Sequence, residues 1–380
     1  MRKQLRTTLT AATAVALTAA LAAPALAAPS GGGHEATRQA VRAAVADGVP
    51  GVTLTARRGH GTWAATAGVG DLETGKPRST ADHYRVGSVT KTFVATVVLQ
   101  LEAEGKLSLD DKVEKWLPGV VRGNGHDGRR ITLRQLLNHS SGIFNYLADT
   151  GFQQKYMTPD GFMKHRFDQA SPEDVIAIAM ANKPHFEKPG TSFAYSNTNY
   201  VLAARVIEKA TGSDDYADEI ERRIIAPLKL SSTSVPTRVT LPRPSSRAYS
   251  KLAKTDTGPT YDVTELNPRL AYGSGQMVSS SADLTRFYSA LLRGKLLRPE
   301  QLKEMKTTIP SSRDTNRYGL GLVDRKLECG VHVWGHDGGI FGSNTDVVTT
   351  EDGRHSLAVN FNGDWSGSTD AIIEAEFCGK

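Results

Sequence analysis

Hydrophobic positions change period four times along the chain. Over residues 34–46, Ala40, Val41, Ala44 and Val45 fall on one helical stripe. Residues 51–57 and 62–69 instead alternate and are rich in β-branched types around Gly59-His60-Gly61, which predicts a hairpin. From Ser88 the helical period returns, with Phe93, Val94, Val97, Val98 and Leu101 repeating up to Gly105. Segments 131–137, 172–181 and 200–211 also read as helices, the first with Thr132 as its cap. Alternating or β-branched runs reappear at 319–323, 331–335, 343–349 and 356–361, and 370–377 closes as a helix capped by Thr369. Strands at both ends and helices between them predict an α+β fold. An antiparallel sheet built from both chain ends is flanked by helices, and a mainly helical lobe spanning about 88–270 is inserted into it.

The N-terminus carries a different signal. Arg2, Lys3 and Arg6 precede an apolar run from about Leu9 to Leu21, followed by the small-x-small pattern Ala25-Leu26-Ala27. This predicts a secretory signal at 1–27, cut after Ala27, a flexible linker at 28–34, and one domain over 35–380. The run is shorter than the roughly 20 residues needed to span a bilayer. The expected product is secreted and extracellular, with no membrane contact after cleavage.

Composition narrows the partners. With 39% hydrophobic and 23% charged residues, the 380-residue chain is ordinary for a globular protein large enough for two lobes. Three of its six net positive charges belong to the signal, leaving +3, and no Lys/Arg stripe tracks phosphates. Nucleic acid is not an expected partner, and a monomer is expected. Cys329 and Cys378 are the two cysteines. In an exported chain they predict a disulfide that closes a loop of about 50 residues and restrains the unfolded state by roughly 4 kcal/mol. Two free thiols are the alternative.

Three short segments can carry chemistry. In Ser88-Val89-Thr90-Lys91, serine and lysine share one face at the start of an apolar helix. A serine hydroxyl needs a neighbouring base, and a lysine kept neutral by burial can be that base. The plain alternative is a capping serine with a solvated lysine. In Tyr195-Ser196-Asn197, residues two apart in extended chain project together, offering a phenol to relay protons and an amide to orient substrate. A buried tyrosine and a capping asparagine would look the same. His336-Asp337-Gly338-Gly339 follows an apolar strand, and its glycines admit a substrate backbone. Alone it is weak, because His126-Asp127-Gly128 repeats it in a polar loop that reads as a turn.

Taken in order, Ser-x-x-Lys, Tyr-x-Asn and His-x-Gly resemble the serine β-lactamase and penicillin-binding superfamily. The likeness extends through Glu104-Gly105-Lys106-Leu107, Asn138-His139-Ser140-Ser141-Gly142, Tyr318-Gly319-Leu320-Gly321-Leu322 and Cys378-Gly379-Lys380. Within that superfamily it is similar to the extracellular D-alanyl-D-alanine carboxypeptidases of streptomycetes. The resemblance implies a β-lactamase/transpeptidase-like fold. It implies Ser88 as the acylated nucleophile, Lys91 and Tyr195 as proton carriers, Asn197 as a substrate-amide ligand and His336 in the polar network. The Ser88 and Gly339 N–H groups would form the oxyanion hole, with Asp337, Gly338 and Gly339 along the substrate.

Several positions depart from that pattern. Where the carboxypeptidases have His-Thr-Gly-Thr, this chain has Asp337 and Gly339, so two hydroxyls are lost and an anion is gained. Their carboxylate-binding arginine aligns with Val323, two residues before Arg325, and a tryptophan wall aligns with Leu270. The first expectation is a D-alanyl-D-alanine carboxypeptidase acting on peptidoglycan stem peptides and inhibited by β-lactams. The second is an esterase, amidase or D-amino-acid peptidase that needs no substrate carboxylate. The third, from another class, is a penicillin sensor that acylates with little turnover. No cofactor is expected, since neither His-Glu-x-x-His nor a phosphate-cradling glycine loop occurs.

Overall fold

In the computed structural model, which describes residues 33–252, 257–313 and 316–379, the two chain ends meet in one sheet. The predicted signal and all but the end of the linker lie outside the described residues. The sheet has eight strands: β1 (Gly51–Arg58), β2 (Gly61–Gly68), β3 (Ile309–Pro310), β4 (Asn316–Tyr318), β5 (Val323–Lys326), β6 (His332–Ile340), β7 (Ser343–Thr350) and β8 (His355–Phe361). Their spatial order is β2-β1-β8-β7-β6-β5-β4-β3, and every pairing is antiparallel. The register of β1 on β8, from Val52 opposite Phe361 to Arg58 opposite His355, joins the start of the fold to its end.

Helices cover both faces. Helix α1 (Glu35–Ala46) takes the outer face together with the C-terminal helix, for which the chain supplies Ile372 and Ile373. Val41 and Ala44 of α1 pack there on Val52, Leu54 and Ala56 of β1, the alternate positions that the hairpin pattern marked. On the inner face lies α2 (Thr90–Ala103), buried almost all round, as an apolar helix at the centre of a domain must be. Short helix α3 (Leu133–Leu137) is held by the predicted Thr132 cap, completed by Gln135 as a capping box worth about 1 kcal/mol. Helices α4 (Pro172–Ala181), α5 (Asn197–Thr211) and α6 (Ser281–Leu292) complete the inner core, where Phe93 of α2 stacks on Phe287 of α6 at 3.7 Å. Truncating either ring to alanine should cost about 3–5 kcal/mol. The last helix is α7 (Thr369–Cys378), tied to the β5–β6 turn by the predicted Cys329–Cys378 disulfide. Among the described residues no helix is long and apolar enough to cross a membrane.

Four expectations are corrected. Residues 319–323 alternate, yet only Val323 is in a strand; Gly319–Leu322 is a turn whose buried Leu320 and Leu322 plug into the core beside α2. Gly321 has φ +66, and a Cβ there would lie 2.7 Å from that of Ala95, so the turn depends on glycine. Strand β6 runs on to Ile340, so His336-Asp337-Gly338-Gly339 lies inside the strand rather than after it. Helix α5 begins at Asn197, three residues before its predicted start. Ser368, not Thr369, precedes α7, and the Thr369 hydroxyl donates instead to Asp346 Oδ2 at 3.2 Å.

Candidate active site

The three segments converge at the N-terminus of α2. Ser88 sits in the tight turn Gly87–Val89 that opens the helix, and Lys91 lies one turn on. Lys91 is fully buried, and its Nζ is 2.9 Å from Ser88 Oγ, 2.7 Å from Asn197 Oδ1 and 2.8 Å from the Ser274 carbonyl oxygen. Burial drives the Lys91 pKa well below its ordinary value, against an opposing pull from Asp337. A neutral amine has two N–H donors and one lone pair. The two carbonyl oxygens take both donors, which leaves the lone pair for the Ser88 O–H.

Tyr195 and Asn197 come from the extended step that enters α5, with Ser196 at φ −138 and ψ 120. Both side chains face Lys91, as the i, i+2 spacing requires; the Tyr195 ring centre is 4.9 Å from Nζ. Burial raises the Tyr195 pKa while its hydrogen bond with Ser88 lowers it, and burial wins. Tyr195 therefore holds its proton in the resting site. Asn197 is fixed from behind, donating through its backbone N–H to Asn145 Oδ1 at 3.2 Å.

Strand β6 brings the remaining segment. A Cβ on Gly338 would lie 2.0 Å from the Val86 carbonyl oxygen and 2.9 Å from the Ser88 nitrogen, so only glycine lets β6 approach the serine turn. Gly339 and Ser88 line one pocket, as the two expected oxyanion donors must. His336, on the buried face of β6, accepts from the Tyr318 hydroxyl at 2.8 Å.

Tyr318 in turn lies 3.2 Å from His139 Nε2, and His139 Nδ1 accepts from the Ser196 N–H and from Asn199 Nδ2, each at 3.2 Å. The tautomers follow. His139 Nε2–H donates to Tyr318, Tyr318 donates to His336 Nε2, and His336 Nδ1–H donates to the Asp337 carbonyl oxygen at 2.5 Å. Both imidazoles are held neutral, mainly by burial, His336 with its pKa pulled down to about 4 and His139 well below its ordinary value. The His139 ring lies 4.2 Å from that of Tyr195, so the relay backs the proposed proton carrier. Sequence reasoning assigned no role to His139, Tyr318, Asn145 or Ser274. The first two stood in segments that carried the resemblance, but nothing in their spacing links positions 139, 318 and 336.

The pocket at Ser88, of about 160 Å³, is apolar. Tyr146, Phe152, Tyr156, Leu270, Ile340 and Phe341 are among its walls, and no charged side chain lines it. Arg325 does not reach it. Its guanidinium is bound to Asp346 at 3.1 Å and to Asp370 at 2.9 Å, and it lines a separate polar groove of about 1020 Å³. Val323 is buried. The Asp337 side chain is 51% exposed. Burial opposes its ionisation, but His336, Arg325 and Arg313 hold its carboxyl below the usual range.

The chain is similar to known proteins. The family profile described as Beta-lactamase matches residues 37–373. Penicillin-binding protein 4* of Bacillus subtilis (strain 168) is 29% identical over 321 residues, 81% of this chain and 66% of that one. Esterase EstB of Burkholderia gladioli is 34% identical over 168 residues, 43% and 41% of the two chains. The chain spans about half to two thirds of the length of the penicillin-binding proteins it matches. Among solved structures, a D-stereospecific amidohydrolase from Streptomyces sp. has 56% identity and a TM-score of 0.87, over 92% of this chain and 100% of that one. The D-amino acid amidase from Ochrobactrum anthropi SV3 has 25% identity and a TM-score of 0.77, over 90% and 98%. With a serine–lysine–tyrosine site on this fold, the chain belongs to the β-lactamase family and is a serine hydrolase related to its penicillin-binding proteins and amidases.

Proposed function

We propose that the protein is a secreted D-stereospecific amidohydrolase, acting through an acyl-enzyme on Ser88 upon amides or esters whose acyl part carries an aromatic or bulky apolar side chain. The observation that carries this reading is the uncharged aromatic and aliphatic pocket at Ser88, with Arg325 committed to Asp346 and Asp370. A substrate with a free terminal carboxylate would find no cation in the pocket wall to receive it, since Arg325 is bound elsewhere. This favours the second sequence expectation over D-alanyl-D-alanine carboxypeptidase activity. The names of the similar amidohydrolase and amidase point the same way.

The chemistry follows from the protonation states. Ser88 passes its proton to the Lys91 lone pair as its oxygen attacks the carbonyl carbon. The Ser88 and Gly339 N–H groups stabilise the resulting oxyanion, each donor worth about 3 kcal/mol. Tyr195 gives its proton to the leaving nitrogen and regains one from Lys91, so the amine departs neutral and the acyl group stays on Ser88. Water then attacks the acyl carbon and gives up a proton through Tyr195 to Lys91; the bond from the acyl carbon to Ser88 Oγ breaks, Oγ takes that proton back from Lys91, and the acid leaves. The His139–Tyr318–His336 relay holds this arrangement without adding charge.

Kinetics on the amides of D- and L-phenylalanine, beside a diacyl-lysyl-D-alanyl-D-alanine peptide, test the substrate assignment. Preference for the D-amide by at least tenfold in kcat/KM over both others supports it. Release of D-alanine as the fastest reaction would return the protein to the carboxypeptidases.

A further inference from the structure

Among the described residues, eleven buried side-chain nitrogen and oxygen atoms have no hydrogen-bond partner, and five of them belong to four residues around one small cavity. They are Arg78 Nη1, His83 Nδ1, Arg85 Nε and Nη1, and Asn362 Oδ1. Buried polar atoms are nearly always paired, so a cluster of five unpaired ones around one cavity is unusual. The cavity, of about 10 Å³, has room for roughly one solvent-sized sphere.

The charge around the cavity decides what the guest is. Arg78 is neutralised by Asp82, whose Oδ2 accepts from Nε at 2.9 Å. Arg247, half exposed, is matched by Asp71 and Asp262. Arg85 is only 2% exposed, and its hydrogen bonds run from Nη2 alone to the carbonyl oxygens of Val239, Thr264 and Leu266. No carboxylate of a described residue forms an ion pair with it; Glu265 acts on it only through its field and stands exposed. Burial pulls the Arg85 pKa down to about 10, as expected for a cation removed from water without a counter-charge. Three of the five unpaired atoms are guanidinium donors, one is an acceptor, and His83 Nδ1 can be either. A water molecule would satisfy some of these atoms and leave the charge unbalanced.

We propose that this cavity binds a small monovalent anion, of which chloride is the simplest, through Arg85 Nε–H, Arg85 Nη1–H and Arg78 Nη1–H. Arg85 lies three residues before Ser88, and its carbonyl oxygen accepts from Ser343 Oγ at 2.7 Å. The ion would therefore brace Tyr84–Arg85, a two-residue strand just before the serine turn, against the start of β7.

The test uses the purified full-length domain at fixed ionic strength, with sodium gluconate replaced stepwise by sodium chloride or bromide, and crystals soaked in bromide. The expected results are a saturable rise in Tm of about 2 °C with either halide and an anomalous bromide peak between Arg78 and Arg85. Arg85→Gln should abolish both. If that variant does not fold, the bromide map of the native protein decides alone. Equal melting in gluconate and chloride, with a water or no peak in the cavity, would overturn the proposal.

Discussion

Lys91 illustrates how one side chain acquires its chemistry from its surroundings. Full burial lowers its pKa, and in the neutral amine the two carbonyl acceptors leave the lone pair one direction, toward Ser88. Lys91→Met keeps the length and removes the base, so kcat/KM should fall by about 10³-fold or more while melting is little changed. Steady-state kinetics beside a thermal melt check this; a loss below tenfold would mean that another group takes the proton. His336 gives a second test, in stability. Its folded pKa of about 4 lies below its ordinary 6.5. Above pH 6.5 neither state binds the proton; between 6.5 and 4 only the unfolded chain does, so stability falls as pH falls. The loss approaches about 3 kcal/mol for this one group, and His139 adds to it with the same sign. Urea unfolding at pH 7, 6 and 5 should show the decline, with a shallower slope in His336→Gln; identical slopes would remove His336 as its source. At this scale Ser88, Lys91, Tyr195 and Asn197 were legible because two short spacings hold them. His139 and Tyr318 were not, since they meet only after residues about 180 positions apart are folded together.

At the scale of elements, the site is an encounter between a helix start and a strand edge. Gly338 sets how close β6 comes to Ser88. Gly338→Ala should push the strand off the serine turn and lower kcat/KM by 10²-fold or more, about the worth of one oxyanion donor. The circular dichroism spectrum should stay native. Full activity in this variant would show that Gly339 does not supply the oxyanion N–H. The hairpin, α2, α3 and most later strands could be read from periodicity, because each repeats its apolar residues at the spacing of its own element. The run at 319–323 could not. Its alternation reflects two leucines turned into the core around Gly321, a tertiary arrangement that mimics strand spacing. The extension of β6 to Ile340 was hidden for the opposite reason, since four of its last five residues are polar or glycine, although all five pair with β7.

Across the whole molecule, the chain ends carry the sheet and the middle carries most of the site. The disulfide joins the β5–β6 turn to α7 on the outer face, remote from the serine pocket. Replacing both cysteines with serine should lower the unfolding free energy by about 2–4 kcal/mol and leave kcat/KM at 25 °C within twofold. Denaturant titration and kinetics on the same preparation check both halves of that expectation. The architecture was legible because both ends alternate and the middle does not. The substrate class was not. It depends on where Arg325 spends its charge, and that is set by Asp346 on β7 and Asp370 on α7 rather than by any neighbour in sequence. The most direct measurement of the central claim is the intact mass of the protein quenched during turnover of D-phenylalanine methyl ester, run beside Ser88→Ala. The account predicts a single added phenylalanyl group on the native chain, mapped by peptide analysis to Ser88, and none on the variant. An adduct at another residue, or turnover undiminished in Ser88→Ala, would contradict it.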